Sequence, residues 1–289
     1  MFLELAIADA YGAGMEYVDP YITKKYNNLK SMIKHPTHGL HAGQYTDDTQ
    51  MTLGLVEFLL TAEKLDVKPL AASWINAFQR DKRLGYARRF QEFLETHPDV
   101  ESFLRDIKPD SNKSGGAMRV TPVGLIPDLA WVKRVADWQA RITHNTTEGA
   151  EAAVAAALLV YYCAFDIGDL DDVGAWIKNE VNGTIDWSAD WSGKVGAEGW
   201  KSTQAAITAV RYGSSTSGIL KTCVDFTGDV DTVATIAIGA ASNSDQIRND
   251  LPPHLKFQLE VKGQYGRTYL VELEKKYREW IAADGWKKL

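Results

Sequence analysis

The chain has 289 residues, is 45% hydrophobic and carries a formal net charge of −6, with a pI near 5.6. That length and apolar share bury a large core in one domain or two, and the acidic balance argues against a nucleic-acid-binding surface. Cys163 and Cys223 lack metal-ligand spacing, Ala152 to Phe165 is too short an apolar run to span a membrane, and residues 1–15 lack a basic n-region, so a cytoplasmic protein is expected.

In chain order, residues 2–15 read as a helix that loosens at Gly12 and Gly14, with Glu16 immediately after it. Composition alone makes Glu16 a solvated acid, and Asp9 reads as a structural hydrogen-bonding acid rather than a catalytic one. Residues 19–44 are polar and irregular. His35, His38 and His41 fall there at a spacing that fits no helical ligand pair, so the segment reads as a mobile loop bordering a site. Thr46-Asp47-Asp48-Thr49-Gln50 then opens an apolar run through Leu60, hydrophobic around most of a helix and therefore central. Helices are expected over 71–78, 86–94 and 100–104. Ser114-Gly115-Gly116-Ala117-Met118-Arg119 reads as a loop, either a plain connection or one offering bare N–H groups to phosphate. Arg119 either binds phosphate or braces that loop through a carboxylate.

An amphipathic helix is expected over 123–141, with His144 leading into an Ala-rich helix that ends at Phe165, and another helix over 169–180. Residues 183–200 are irregular, with Trp187, Trp191 and Trp200 anchoring a long loop. Helices over 202–212 and 217–224 lead to Thr227-Gly228-Asp229-Val230-Asp231-Thr232, which opens a second apolar run through Ala241. Residues 242–267 are polar, and 268–283 form a charged terminal helix. No alternating strand, internal repeat or linker is visible, which makes residues 1–289 a single all-α domain.

The acids at the two helix starts have a plain explanation as caps, and Asp47 with Gln50 has the spacing of a capping box. Capping accounts for one oxygen per helix, not for paired acids beside a threonine at both. If the two mouths meet, Asp47, Asp48, Asp229 and Asp231 concentrate four negative charges that two divalent cations would balance. Such an all-oxygen set suits Mg²⁺, Mn²⁺ or Ca²⁺ rather than Zn²⁺.

These motifs, together with Ala8-Asp9-Ala10-Tyr11-Gly12-Ala13-Gly14-Met15-Glu16, Thr121-Pro122-Val123-Gly124 and Ile142-Thr143-His144, resemble the ADP-ribosylglycohydrolase family in sequence and in order from residue 6 to 241. The resemblance implies an all-α orthogonal helical bundle with a binuclear metal site where helix N-termini meet. It implies two Mg²⁺ or Mn²⁺ ions held by Thr46, Asp47, Asp48, Asp229, Asp231 and Thr232, with Glu16, Asp47, Asp48 and Asp229 as catalytic residues. It also implies substrate contacts from Ser114, Gly115, Gly116, Met118 and His144. The implied activity is hydrolysis at ribose C1″ of an ADP-ribosylated protein, nucleic acid or small molecule, by a monomer with no membrane partner. A silent ADP-ribose binder or crystallin-like relative, and an unrelated two-metal phosphatase, stand as alternatives. This chain departs from the family pattern at Thr227, Val230 and Ala8, where Gly, Thr and Gly are usual; none of the three is an implied metal ligand.

Overall fold

The two apolar runs that follow the acidic motifs become helices enclosed by the rest of the chain. The computed structural model describes residues 1–260 and 264–289. Its helices are α1 (Phe2–Ala13), α2 (Pro20–Tyr26), α3 (Asp47–Thr61), α4 (Val67–Arg80), α5 (Arg88–Thr96), α6 (Val100–Asp106), α7 (Gly115–Met118) and α8 (Leu129–Arg141). There follow α9 (Thr147–Ala164), α10 (Val173–Val181), α11 (Gly199–Arg211), α12 (Thr216–Asp225), α13 (Val230–Ala241), α14 (Pro253–Gln258) and α15 (Arg267–Ala282). No strand occurs among the described residues, so the all-α expectation holds.

Every residue of α13 is buried, and in α1 only Glu4 is not. A helix apolar on all sides stays in place only when neighbours cover all of it. Here α13 packs against α1, α11, α12 and α9, while α9 also carries α8 and α7, and α3 packs on α4. Alanines at 152, 153, 155, 156 and 157, all fully buried, let α9 approach its neighbours closely. The outer helices are one-sided: α8 buries Trp131, Val132, Val135 and Ala136 and leaves Arg134 and Arg141 in solvent.

Local chemistry explains where the elements differ from expectation. The helix expected over 123–141 breaks at Pro127; a 3₁₀ turn covers Thr121–Leu125, and Asp128 restarts the helix by accepting from Trp131 N at 2.9 Å. The Gly-rich segment is a helical turn rather than a loop. The segments read as polar, 19–44 and 242–267, contain α2 and α14, each with a proline in its first turn, where the missing N–H costs nothing. Helix α5 begins two residues later than expected, because Tyr86 is buried with its hydroxyl donating to Gln50 Oε1 at 2.7 Å.

Gly12 sets the distance between α1 and α13. A Cβ there would stand 2.6 Å from Asp231 Cα and 2.9 Å from its nitrogen, so only hydrogen fits. The backbone at the second acidic motif therefore rests directly on the end of α1. Replacing Gly12→Ala should cost about 1–3 kcal/mol through overpacking, read as a lower denaturant midpoint at unchanged slope. An unchanged midpoint would mean the two backbones do not touch.

Candidate active site

The first acidic mouth is built on Asp9. This fully buried carboxylate accepts from Thr46 N at 3.1 and 3.0 Å, Thr46 Oγ1 at 2.9 Å, Thr49 N at 3.1 Å and Thr49 Oγ1 at 2.6 Å. It thereby holds the N-terminus of α3 against α1. The N-cap is Thr46, whose hydroxyl accepts from Asp48 N, which places Asp47 and Asp48 in the first turn. The capping-box reading of Asp47 with Gln50 therefore fails. Gln50 instead donates to Asp81 O at 2.6 Å and accepts from Tyr86.

The second mouth is shaped by two consecutive left-handed residues, Thr227 (φ 63) and Gly228 (φ 91). Val195 N donates to Thr227 O at 2.9 Å and Asp229 N donates to Val195 O at 3.3 Å, clamping the turn from a remote loop. Tyr17 N donates to Gly228 O at 2.9 Å, which brings Glu16 alongside. Asp229 occupies the N-cap position of α13 but makes no side-chain cap; its Oδ2 accepts from Ser202 Oγ on α11 at 2.8 Å. A cap residue whose carboxylate is turned elsewhere does not fit the plain capping explanation.

Glu16, Asp229 and Asp231 each present an oxygen within 4.8 Å of the others. Asp47 and Asp48 share their field: burial, then Asp9 and other acids, push Asp47 up to about 8 and Asp48 well above the carboxylate range. Burial, then Asp229, Asp47 and Asp9, raise Glu16 to about 8, and Asp231 is driven upward by burial, Glu16, Asp48 and Asp229. Thr232 faces both Asp48 and Asp229 and partly relieves them. Among the described residues no lysine or arginine is among the groups that relieve these acids. Asp48 Oδ1 and Asp231 Oδ1 are buried without any hydrogen-bond partner among the described residues. Buried carboxylate oxygens without donors, at two helix mouths that face each other, fit a hard divalent cation.

Beside the acids lies α7. Its N-cap Ser114 is among the side chains that partly relieve Asp229, and Gly115 and Gly116 sit over His144: a Cβ on Gly115 would be 2.9 Å from His144 Cε1 and 3.1 Å from Nε2. Arg119 is fully buried and, among the described residues, has no carboxylate partner. It donates through Nε to Gln139 Oε1 at 2.7 Å and through one terminal nitrogen to Gln139 O and Thr143 Oγ1, with its guanidinium 4.0 Å from the Trp74 ring centre. It braces α7 and α8 through neutral groups, and among the described residues the expected carboxylate partner is absent.

A family model of the ADP-ribosylglycohydrolases matches residues 1–282. The chain belongs to the ADP-ribosylglycohydrolase family. It is 30% identical over 190 residues to an uncharacterized protein of Archaeoglobus fulgidus, covering 58% of this chain and 55% of the relative. It is 34% identical over 155 residues to the ADP-ribosyl-[dinitrogen reductase] glycohydrolase of Rhodospirillum rubrum, covering 50% of each. With the ADP-ribosylarginine hydrolase Tri1 of Pseudomonas putida it shares 25% over 157 residues, 50% of this chain and 41% of that one. The chain thus spans about half the length of the curated relatives it matches. A solved ADP-ribosylglycohydrolase-related protein complex has the same fold, with a TM-score of 0.65 at 24% identity over 96% of this chain and 93% of that one.

Within this family member, the expected residues divide by position. Glu16, Asp229 and Asp231 form the tight group, Asp47 and Asp48 lie near enough to raise its proton affinities, Thr232 faces Asp48 and Asp229, and the Thr46 hydroxyl is turned to Asp9 and Asp48 N. Ser114, Gly115, Gly116 and His144 form the adjoining wall, whereas Met118 is 5% exposed and packs into the core. The histidine-bearing segment borders Glu16: His35 Nε2 bonds Glu16 O at 2.8 Å and stacks on His38 with ring centres 4.0 Å apart. Neither Ser202 nor Val195 carries a motif that sequence reading could have found.

Two measurements test this geometry. Thr227 holds a β-branched side chain in the left-handed region, where glycine is free of strain, so Thr227→Gly should stabilise the fold by about 1 kcal/mol. A lower melting temperature would show that the turn is unstrained. His144 is lowered to about 3 by burial and then by Arg119. Its folded value lies below its unfolded one, so the stability it contributes is complete above the unfolded value, near 6.5, and is lost as pH falls through that value toward 3. His144→Gln should flatten the fall in denaturant midpoint over that window, and parallel curves for the two proteins would count against a buried neutral imidazole.

Proposed function

We propose that the chain is a metal-dependent hydrolase that cleaves the N- or O-glycosidic bond at ribose C1″ of an ADP-ribosylated protein, nucleic acid or small molecule and releases ADP-ribose. The observation that carries this reading is the meeting of two acidic helix mouths with unpartnered buried oxygens on Asp48 and Asp231. The names of the relatives support the substrate class, and the retained acids favour an active member over a silent binder.

Two Mg²⁺ or Mn²⁺ ions are the cofactor this site would take, held by Thr46, Asp47, Asp48, Asp229, Asp231 and Thr232. When bound, such ions orient ribose hydroxyls and make water a better nucleophile near neutral pH. Breaking the bond at C1″ develops oxocarbenium-like positive charge, which the surrounding carboxylates stabilise. Water adds its oxygen to C1″ as the bond to the leaving atom breaks. The water's proton passes to a carboxylate, with Asp48 and Asp229 the candidates, and the leaving group takes up a proton. Glu16 at the edge of the cluster governs access or assists that transfer. The Gly115-Gly116 turn would place the diphosphate through backbone N–H groups, with the Ser114 hydroxyl beside it, since the Ser114 N–H is donated to Ala197 O.

Asp47→Ala and Asp231→Ala should each remain folded and lose hydrolysis by about a hundredfold or more, measured as ADP-ribose released from a panel of linkages with Mg²⁺, with Mn²⁺ and with chelator. Turnover retained in chelator would sink the metal-dependent reading. Independently of activity, Mg²⁺ or Mn²⁺ should raise the melting temperature of the wild-type chain, and Asp48→Asn should weaken that response. An equal response in both would remove Asp48 from the ligand set.

A further inference from the structure

The hydrogen bonds around His144 have only one self-consistent arrangement. Arginine has donors only, so Thr143 Oγ1, 2.9 Å from an Arg119 terminal nitrogen, must accept there. The same hydroxyl lies 2.7 Å from His144 Nδ1. Were Nδ1 to carry the imidazole proton, the threonine oxygen would accept twice, and its own buried hydrogen would be left without an acceptor among the described residues. Leaving a buried donor unsatisfied is the costly outcome. Donation from Thr143 to Nδ1 satisfies all three groups and leaves the proton on Nε2.

The rest of the setting enforces this. Gln139 fixes Arg119 by accepting at its side-chain and main-chain oxygens, and its own amide donates to Gly116 O at 2.9 Å, so Arg119, Gln139 and the glycine turn are one unit. The guanidinium lies on Trp74, and among the described residues no carboxylate neutralises it. A second positive charge on His144 would face that cation through a single hydroxyl. Nε2 has no partner among the described residues. It lies where only the absent side chain of Gly115 leaves room, one residue from Ser114, whose side chain partly relieves Asp229.

We propose that Arg119 and Thr143 are positioning residues that hold His144 neutral, with its proton on Nε2, as a hydrogen-bond donor to a ligand oxygen entering beside Gly115. The inference rests on the hydrolase reading only for the identity of that ligand, a diphosphate- or ribose-bearing molecule. The chain thereby presents an uncharged donor where a histidine in water would be partly protonated.

The test is nuclear magnetic resonance of the metal-free full chain labelled with ¹⁵N at histidine. His144 should give a protonated-type Nε2 and an acceptor-type Nδ1 signal, unchanged from about pH 8 to about pH 5. A proton on Nδ1, or a titration midpoint near the ordinary 6.5, would overturn the proposal. Thr143→Val should lose the fixed tautomer and Thr143→Ser should restore it; a Val variant with wild-type signals would also overturn it. With ADP-ribose as the probe, Thr143→Val should weaken binding about fivefold while Thr143→Ser stays near wild type. Equal affinities in the two would refute the donor role. A wild-type chain that binds no ADP-ribose under any metal condition would instead count against the hydrolase reading, and the nitrogen signals would still decide the tautomer.

Discussion

The carboxylate of Asp9 is the interaction on which the site depends. Burying a carboxylate costs several kcal/mol unless donors surround it, and Asp9 is surrounded by two backbone N–H groups and two hydroxyls, all from the N-terminus of α3. The bonds tie α1 to α3 at one place and fix how the first turn of α3 is rotated. Because α1 also carries Gly12 against Asp231, one helix locates both acidic mouths. The distance between Asp48 and Asp231 is thus a property of α1, through an acid that takes no part in the cluster's open coordination.

The cluster itself works against folding. Two helix N-termini supply about half a positive charge each, far short of balancing Glu16 and four aspartates. The raised proton affinities of these groups express the shortfall. Stabilising caps would have cost less: Thr46 already caps α3, and Asp229 gives its carboxylate to Ser202 rather than to its own helix. The arrangement is therefore paid for by the large apolar core around α1, α9 and α13, and it makes physical sense when cations complete it.

What was legible in the sequence was local. Apolar runs through Leu60 and Ala241 gave buried helices because their periodicity leaves no polar face, and paired acids beside threonines marked their starts. What was hidden depends on contacts between distant segments. Nothing near Ser202 announces a partner for Asp229, since α11 reaches it only through the packing of α11 on α13. Arg119 invited a carboxylate by base rate, yet it is satisfied by Gln139, Thr143 and Trp74, neutral groups that no spacing rule connects to it. The capping box at Asp47 and Gln50 failed by one residue, because Asp9 recruits Thr46 as the cap and Tyr86 draws Gln50 away.

The departures at Thr227 and Val230 also become intelligible. Val230 is fully buried, so its side chain belongs to the core and not to the oxygen-rich side of the turn. Thr227 bears its left-handed strain because its neighbours over-determine the backbone: Val195 bonds the turn twice, and Tyr17 holds Gly228 from the other side. A turn fixed from two remote segments can tolerate an unfavourable residue without moving its carboxylates. The positions of Asp229 and Asp231 are thus set by Val195, Tyr17 and Gly12 rather than by the intrinsic preference of the residues between them, and for that reason a motif altered at two positions keeps its oxygens in place.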